Sequence, residues 1–194
     1  MKKPSLNSGV LGPPGDVNIP GPARKSGPPG GPQLCGDLAM RIDRDGVWYY
    51  RGSPIARQEL VKLFSSVLKR DESGEFWLIT PAEKGTIEVE DAPFIGVELQ
   101  AAGSGEDQVI EIRINTDDIV TIDADHPLEI DFAPGTGEPS PYITVRDGLK
   151  ARLARPVYYE LVELGTEGHD KQEGQFGIWS SGVFFSLGTL PEDE

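Results

Sequence analysis

The 194-residue chain has a single cysteine, Cys35, and only two histidines, His126 and His169. One cysteine excludes an intramolecular disulfide and a four-cysteine metal site. No run of apolar residues approaches the roughly 18 that a membrane-spanning helix needs. No signal-peptide core is visible either, because Val10 and Leu11 run straight into Gly12-Pro13-Pro14. Basic residues are scarce: 18 Lys and Arg stand against 32 Asp and Glu, for a net charge of −14. Four of the basic residues (Lys2, Lys3, Arg24 and Lys25) lie in the first 32 positions, which hold one acid, Asp16. The remaining 162 residues therefore carry −17 (−14 minus 3). A body this acidic repels phosphodiester backbones and anionic lipid, since both are bound through Lys and Arg. Nucleic acid and membrane surfaces are set aside as partners of the body, and the expected compartment is the cytoplasm.

What is present divides the chain. The first 32 residues hold 15 of the glycines and prolines and almost no apolar side chains, so they have nothing to offset the entropy of ordering. Gly9, Gly12, Gly15, Gly21, Gly27 and Gly30 share a three-residue register, but Asn18 and Arg24 interrupt it, which defeats a collagen-like helix. From Asp37 the pattern changes to short strands. Asp45-Gly46 between Met40–Ile42 and Val47–Tyr50 reads as a two-residue hairpin turn. Ser53-Pro54 reads as a helix cap followed by proline at the first helical position. Leu60, Leu63, Phe64, Val67 and Leu68 then recur at helical spacing and predict one apolar face. Five strands follow over 76–79, 86–90, 94–100, 109–115 and 119–123, and Ile110, Ile112 and Ile114 alternate with Glu111 and Arg113 as a half-buried strand requires.

The second half repeats features of the first. Arg44-Asp45-Gly46 matches Arg146-Asp147-Gly148, Pro54-Ile55 matches Pro156-Val157, and Glu59–Leu63 matches Glu160–Leu164 after a one-residue shift. That predicts an α+β fold built as a duplicated strand-rich unit with one helix per half. The second helix is expected from Pro156 to Leu164, ending at Gly165. The domain expectation is a Pro/Gly-rich tail over 1–36, an N-terminal repeat domain over 37–104 and a C-terminal repeat domain over 105–190.

Several blocks carry a family resemblance: Thr80–Lys84, Ile87–Phe94, Asp123–Pro127, Val145–Leu149, Ala151–Leu153, Val157–Leu161 and Trp179–Phe185. Together they resemble the bacterial domain-of-unknown-function family 1285 over residues 37–190. The resemblance implies a duplicated α+β core whose C-terminal half is loosely pleckstrin-homology-like. It also implies a site for a nucleotide-like ligand between the halves and a role in signalling. It supplies no catalytic residues. Gly177 departs from it, standing where a bulkier neighbourhood is expected before Trp179.

The densest basic cluster is Arg146, Lys150, Arg152 and Arg155, and Arg41, Arg44, Arg51 and Arg57 occupy comparable places in the first half. Arginine's planar fork suits phosphate or carboxylate, although surrounding carboxylates offer a bland alternative as ion-pair partners. Tyr158 and Trp179 offer faces for a flat ring. The candidate ligand-binding residues are thus Arg146, Arg152, Arg155, Tyr158, Trp179 and Lys84. Asp117, Asp118, Asp123, Asp125 and His126 lack metal-loop spacing, and no glycine loop leads into a helix to cradle a phosphate. No metal, cofactor or catalytic residue is assigned, and the chain is not read as an enzyme. The expected function is a cytoplasmic regulatory or signalling domain holding a small anionic, nucleotide-like ligand between its halves. The alternatives are an adaptor that docks a basic protein partner on its acidic surface, and a hydrolase using Glu83, Lys84 or His126.

Overall fold

A computed structural model describes residues 31–169 and 174–190. The expected tail therefore lies outside the described residues up to position 30. Its proposed end at residue 36 falls inside the first strand, β1 (Gln33–Ile42).

The N-terminal half continues with β2 (Trp48–Tyr50), β3 (Ser53–Pro54), α1 (Gln58–Ser66), β4 (Leu68–Arg70), β5 (Phe76–Ile79) and β6 (Glu83–Val89). β6 returns to lie parallel to β1, giving one six-stranded sheet in the order β3-β2-β1-β6-β5-β4. Strand alternation turns Met40, Ile42, Trp48, Leu78 and Ile87 inward, and all are buried. α1 lays Val61 and Ser65 onto that face, and Phe64 stacks on Trp48 with ring centroids 6.2 Å apart. Each such large apolar side chain stabilises the fold by about 1.5–3 kcal/mol. Gly85 lets β1 and β6 approach, for a Cβ there would sit 2.5 Å from the Leu38 side chain and 2.7 Å from the Gly36 carbonyl oxygen.

The second six-stranded sheet contains β7 (Phe94–Ala102), β8 (Val109–Ile114), β9 (Ile119–Thr121), β10 (Leu128–Phe132), β11 (Pro139–Arg146) and β12 (Leu149–Leu153). Their order is β10-β11-β12-β7-β8-β9. Ile110, Ile112 and Ile114 all reach zero exposure, as their alternation predicts. α2 (Arg155–Glu163) follows, with Pro156 in its first turn and Val157 and Leu161 buried. A three-stranded sheet of β13 (Thr166–Glu167), β14 (Gln175–Ser180) and β15 (Val183–Thr189) completes the fold. One hydrophobic cluster runs from Met40 through Phe94 and Ile143 to Leu187, so both halves share a core.

Several expectations are corrected. Ser53-Pro54 pairs with β2 as an edge strand, where proline's missing N–H does no harm, and α1 starts only at Gln58. Its buried stripe is Val61 and Ser65, leaving Leu60 and Leu63 at 38% and 57% exposure. Leu68 has already left the helix for β4. The first hairpin has a loop from Asp43 to Val47, because Ile42 pairs with Trp48. The Asp43 carboxylate accepts the Asp45 and Val47 amides there. The second hairpin does turn at Asp147-Gly148, both with positive φ. The succession hairpin, helix, three strands is consistent with a duplicated unit, but the pairing differs: β6 joins β1, whereas β15 lies against β10. Sheet membership changes between β6 and β7, ahead of the expected division at 104/105. Gly177 is explained by packing, since a Cβ would meet the Phe185 carbonyl oxygen at 2.3 Å and the Phe184 ring at 2.6 Å.

Candidate functional site

The β11–β12 hairpin faces the N-terminal half, and its arginines fasten the two halves together. Arg146 donates to the Ser65 carbonyl at 2.6 Å, at the C-terminal end of α1 where carbonyls lack helical partners. Its guanidinium also lies 5.2 Å from the centre of the Phe94 ring. Arg152 Nη2 donates to the Arg44 carbonyl at 2.7 Å. Its Nε lies 3.2 Å from Asp91 Oδ2 without hydrogen-bond alignment. The Tyr142 hydroxyl donates to the other Asp91 oxygen at 2.8 Å. Burial first, and then that carboxylate, push the Tyr142 phenol up to about 12. Lys69 pairs with Asp147, and Lys62 with Asp117, across the same joint. The Lys69 ammonium holds the Asp147 carboxyl below the usual range by hydrogen bond and charge.

The other candidate residues are not brought together with these. Arg155 pairs with Glu138 and its side chain is 78% exposed. Tyr158 packs half-buried beside Tyr159, and burial raises its phenol. Trp179 lies edge-on to Phe184 in the three-stranded sheet. Lys84 sits on the outer face of β6, its ammonium 5.5 Å from the centre of the Trp77 ring. Glu83, its neighbour, points to the opposite face. His126 Nδ1 is 3.1 Å from Asp123 in the turn before β10. Burial works to raise the Asp123 carboxyl, but the His126 and Asp125 contacts outweigh it and hold it low. Among the described residues no three His, Cys, Asp or Glu gather as a metal site.

A cleft of about 240 Å³ opens beside the joint. Arg70 and Phe76 line it from the N-terminal half, Asp91, Ala92 and Pro93 from the connection, and Asp131, Tyr142, Gly148 and Lys150 from the C-terminal half. Arg70 and Gly148 also line an adjoining cavity of about 350 Å³. Within the cleft Asp91 is matched by Arg152, and Lys150 by Glu129. Arg70 reaches only the Gly74 and Gly148 carbonyls, at 3.5 Å each, and the Phe76 ring. Among the described residues it makes no ion pair, and neither does Asp131. The open charges of the cleft are thus one guanidinium and one carboxylate. Sequence reasoning missed Arg70, which lies beside Asp71-Glu72 and 78 positions from Gly148.

The comparisons with known proteins follow this division. Residues 30–92 match the "Domain of unknown function (DUF1285), N-terminal domain", and residues 93–187 match the "Protein of unknown function (DUF1285), C-terminal domain". The chain belongs to the DUF1285 family. A crystal structure of a DUF1285 family protein from Silicibacter pomeroyi is 44% identical, with a TM-score of 0.76. That match covers 86% of this chain and 90% of that one. A second, from Shewanella baltica, is 26% identical with a TM-score of 0.51, covering 66% and 92%. No curated protein matches the chain. The boundary between the two DUF1285 domains, at 92/93, coincides with the change of sheet. The cleft is therefore lined from both family domains.

Proposed function

We propose that this DUF1285 protein is a regulatory ligand-binding domain that holds a small anionic, nucleotide-like ligand in the cleft between its halves. The observation that carries the reading is Arg70, a guanidinium at the joint with no carboxylate partner among the described residues of a strongly acidic chain. Asp131 adds a second requirement. A ligand meeting both has a phosphate or carboxylate at one end and O–H or N–H donors at the other, as a nucleotide does. A ligand touching both halves binds best to one packing of them and shifts the population towards it, which is how binding becomes signalling. In this reading Arg146 and Arg152 position the walls, and Arg70 and Asp131 face the ligand. We also read the C-terminal half as loosely pleckstrin-homology-like, on its strands packed around one helix.

Thermal shift of the full chain with inorganic phosphate, pyrophosphate and adenosine and guanosine mono- and diphosphates tests the reading. A binder at a hundred times its Kd stabilises the protein by about 2.7 kcal/mol. At least one probe should raise Tm, and Arg70→Ala should remove the rise. No response from any probe, or an unchanged response in Arg70→Ala, contradicts it. The adaptor reading, a basic protein partner docked on the acidic surface, has its support in the net charge of −14. It gains if every small anion fails.

A further inference from the structure

A second cavity, of about 260 Å³, lies within the N-terminal half, between α1 and the inner face of its sheet. Leu38, Met40, Phe64, Val67 and Leu78 make its walls, and Tyr50, 46% exposed, stands at its edge. It is far more apolar than the inter-half cleft. Two ionised residues border it, Glu83 and Lys84, and strand alternation puts Glu83 on the inner face. Along β6 the residues at 83, 85 and 87 point inward, Gly85 and Ile87 are buried, and Glu83 sits exposed at the mouth. Thr80 engages only the Glu83 backbone, through its hydroxyl and amide. Among the described residues the Glu83 carboxylate has no cationic partner, while Lys84 is turned to the other face. Behind the wall, Trp48 stacks on Phe64 with its indole N–H buried and unpartnered among the described residues.

We propose that this groove is a separate binding site for a small amphipathic amine, with its apolar body between α1 and the sheet and its ammonium at Glu83. The chemistry follows from what is unmatched. The walls offer apolar surface that gains by excluding water; of the two ionised residues bordering the opening, Lys84 has its ammonium over the Trp77 ring, which leaves the Glu83 carboxylate as the charge facing the cavity. The volume is below the roughly 300–1,000 Å³ of drug-sized ligand sites, so the body is about the size of one aromatic ring with a short arm. The sign of the charge is opposite to that required at Arg70, so this site stands independently of the inter-half reading.

The test uses three isosteric probes on the full chain, followed by NMR titration: phenethylamine, phenylacetate and 2-phenylethanol. Phenethylamine should bind saturably at millimolar Kd or tighter, the range open to about nine heavy atoms, and roughly ten-fold more tightly than phenylacetate. Glu83→Gln, an exposed change that keeps the backbone bonds, should bring the amine down to the affinity of 2-phenylethanol. Val67→Phe should fill the groove and weaken the amine and the alcohol alike. Arg70→Ala should leave amine binding unchanged, which separates this site from the inter-half cleft. No saturable binding of the amine, equal affinity for phenylacetate, or an unaltered preference in Glu83→Gln overturns the proposal.

Discussion

In the N-terminal half β6 returns to β1 and closes a single sheet over α1. In the C-terminal half the corresponding hairpin, β11–β12, is taken into a sheet that β7–β9 begin, and β14 and β15 form a layer of their own. The difference decides what the charges do. Arg41 pairs with Glu90 inside the N-terminal half, and Asp43 closes its own hairpin loop. Arg146, Asp147 and Arg152 instead project from a mid-sheet hairpin against the other half, where they meet Ser65, Lys69, Arg44 and Asp91. Similar sequence thus supplies opposite roles at one joint: the first loop, closed by Asp43, offers the Arg44 carbonyl and Asp45, and the second hairpin supplies the Arg152 guanidinium that meets them. The guanidinium left without a carboxylate at that joint, Arg70, comes from neither hairpin.

The largest expected difference lies between the leucines that the repeat aligned. Leu161 is fully buried on α2, whereas Leu60, its match one residue out of step, is 38% exposed on α1. Leu161→Ala should cost about 2–5 kcal/mol, and Leu60→Ala within about 0.5. Equal losses in denaturant unfolding would show that the two helices bury the aligned faces after all. Next in size, Arg152→Ala should destabilise by about 2–3 kcal/mol, because it strips the Arg44 carbonyl and the Asp91 carboxylate of a charged partner. Arg155→Ala should change stability by no more than about 0.5 kcal/mol, since its pair is exposed. A silent Arg152→Ala would remove the joint from the account.

Smaller effects separate the two hairpins. Asp43→Ala should cost on the order of 1 kcal/mol by releasing two loop amides. Asp147→Gly should be near neutral to folding, because its φ of 45° suits glycine and offsets the lost Lys69 contact. The pH profile is the finest test. Asp43, Asp71, Asp117 and Asp147 all titrate below their ordinary value when folded. Their contribution is therefore fully present above the ordinary carboxylate pKa and is lost as pH falls from there through their lowered folded values. Tyr142 is raised from 10 to about 12, so its contribution is complete below pH 10 and fades between 10 and about 12. In Tyr142→Phe that alkaline loss should shrink, while the acid limb stays as in the parent.

Much of this was legible where local pattern and burial agree. The alternation of Ile110, Ile112 and Ile114, the Asp147-Gly148 turn, and Pro156 to Gly165 around α2 each reflect a constraint contained within a few residues. α1 misled because two apolar stripes overlap in it. Leu60-Leu63-Phe64-Val67 has the better spacing, but the sheet beneath takes Val61, Phe64 and Ser65. Ser53-Pro54 has the chemistry of a helix start and also that of an edge strand, and pairing with Tyr49 and Tyr50 decides between them. The candidate site was least legible. The density of arginines between 146 and 155 was real, but their partners lie 17 to 108 positions away and were invisible to spacing. Arg70 had the opposite problem, with acidic neighbours in sequence and none paired with it in space.

In the proposed binding mode the hairpin arginines hold the halves together while Arg70 receives the anion. Calorimetric titration of pyrophosphate into the parent, Arg70→Ala and Arg155→Ala proteins tests it most directly. Loss of one charge-assisted contact should weaken binding by about ten-fold or more in Arg70→Ala, with Arg155→Ala indistinguishable from the parent. Pyrophosphate binding that survives Arg70→Ala unchanged, or that falls only in Arg155→Ala, would contradict the account.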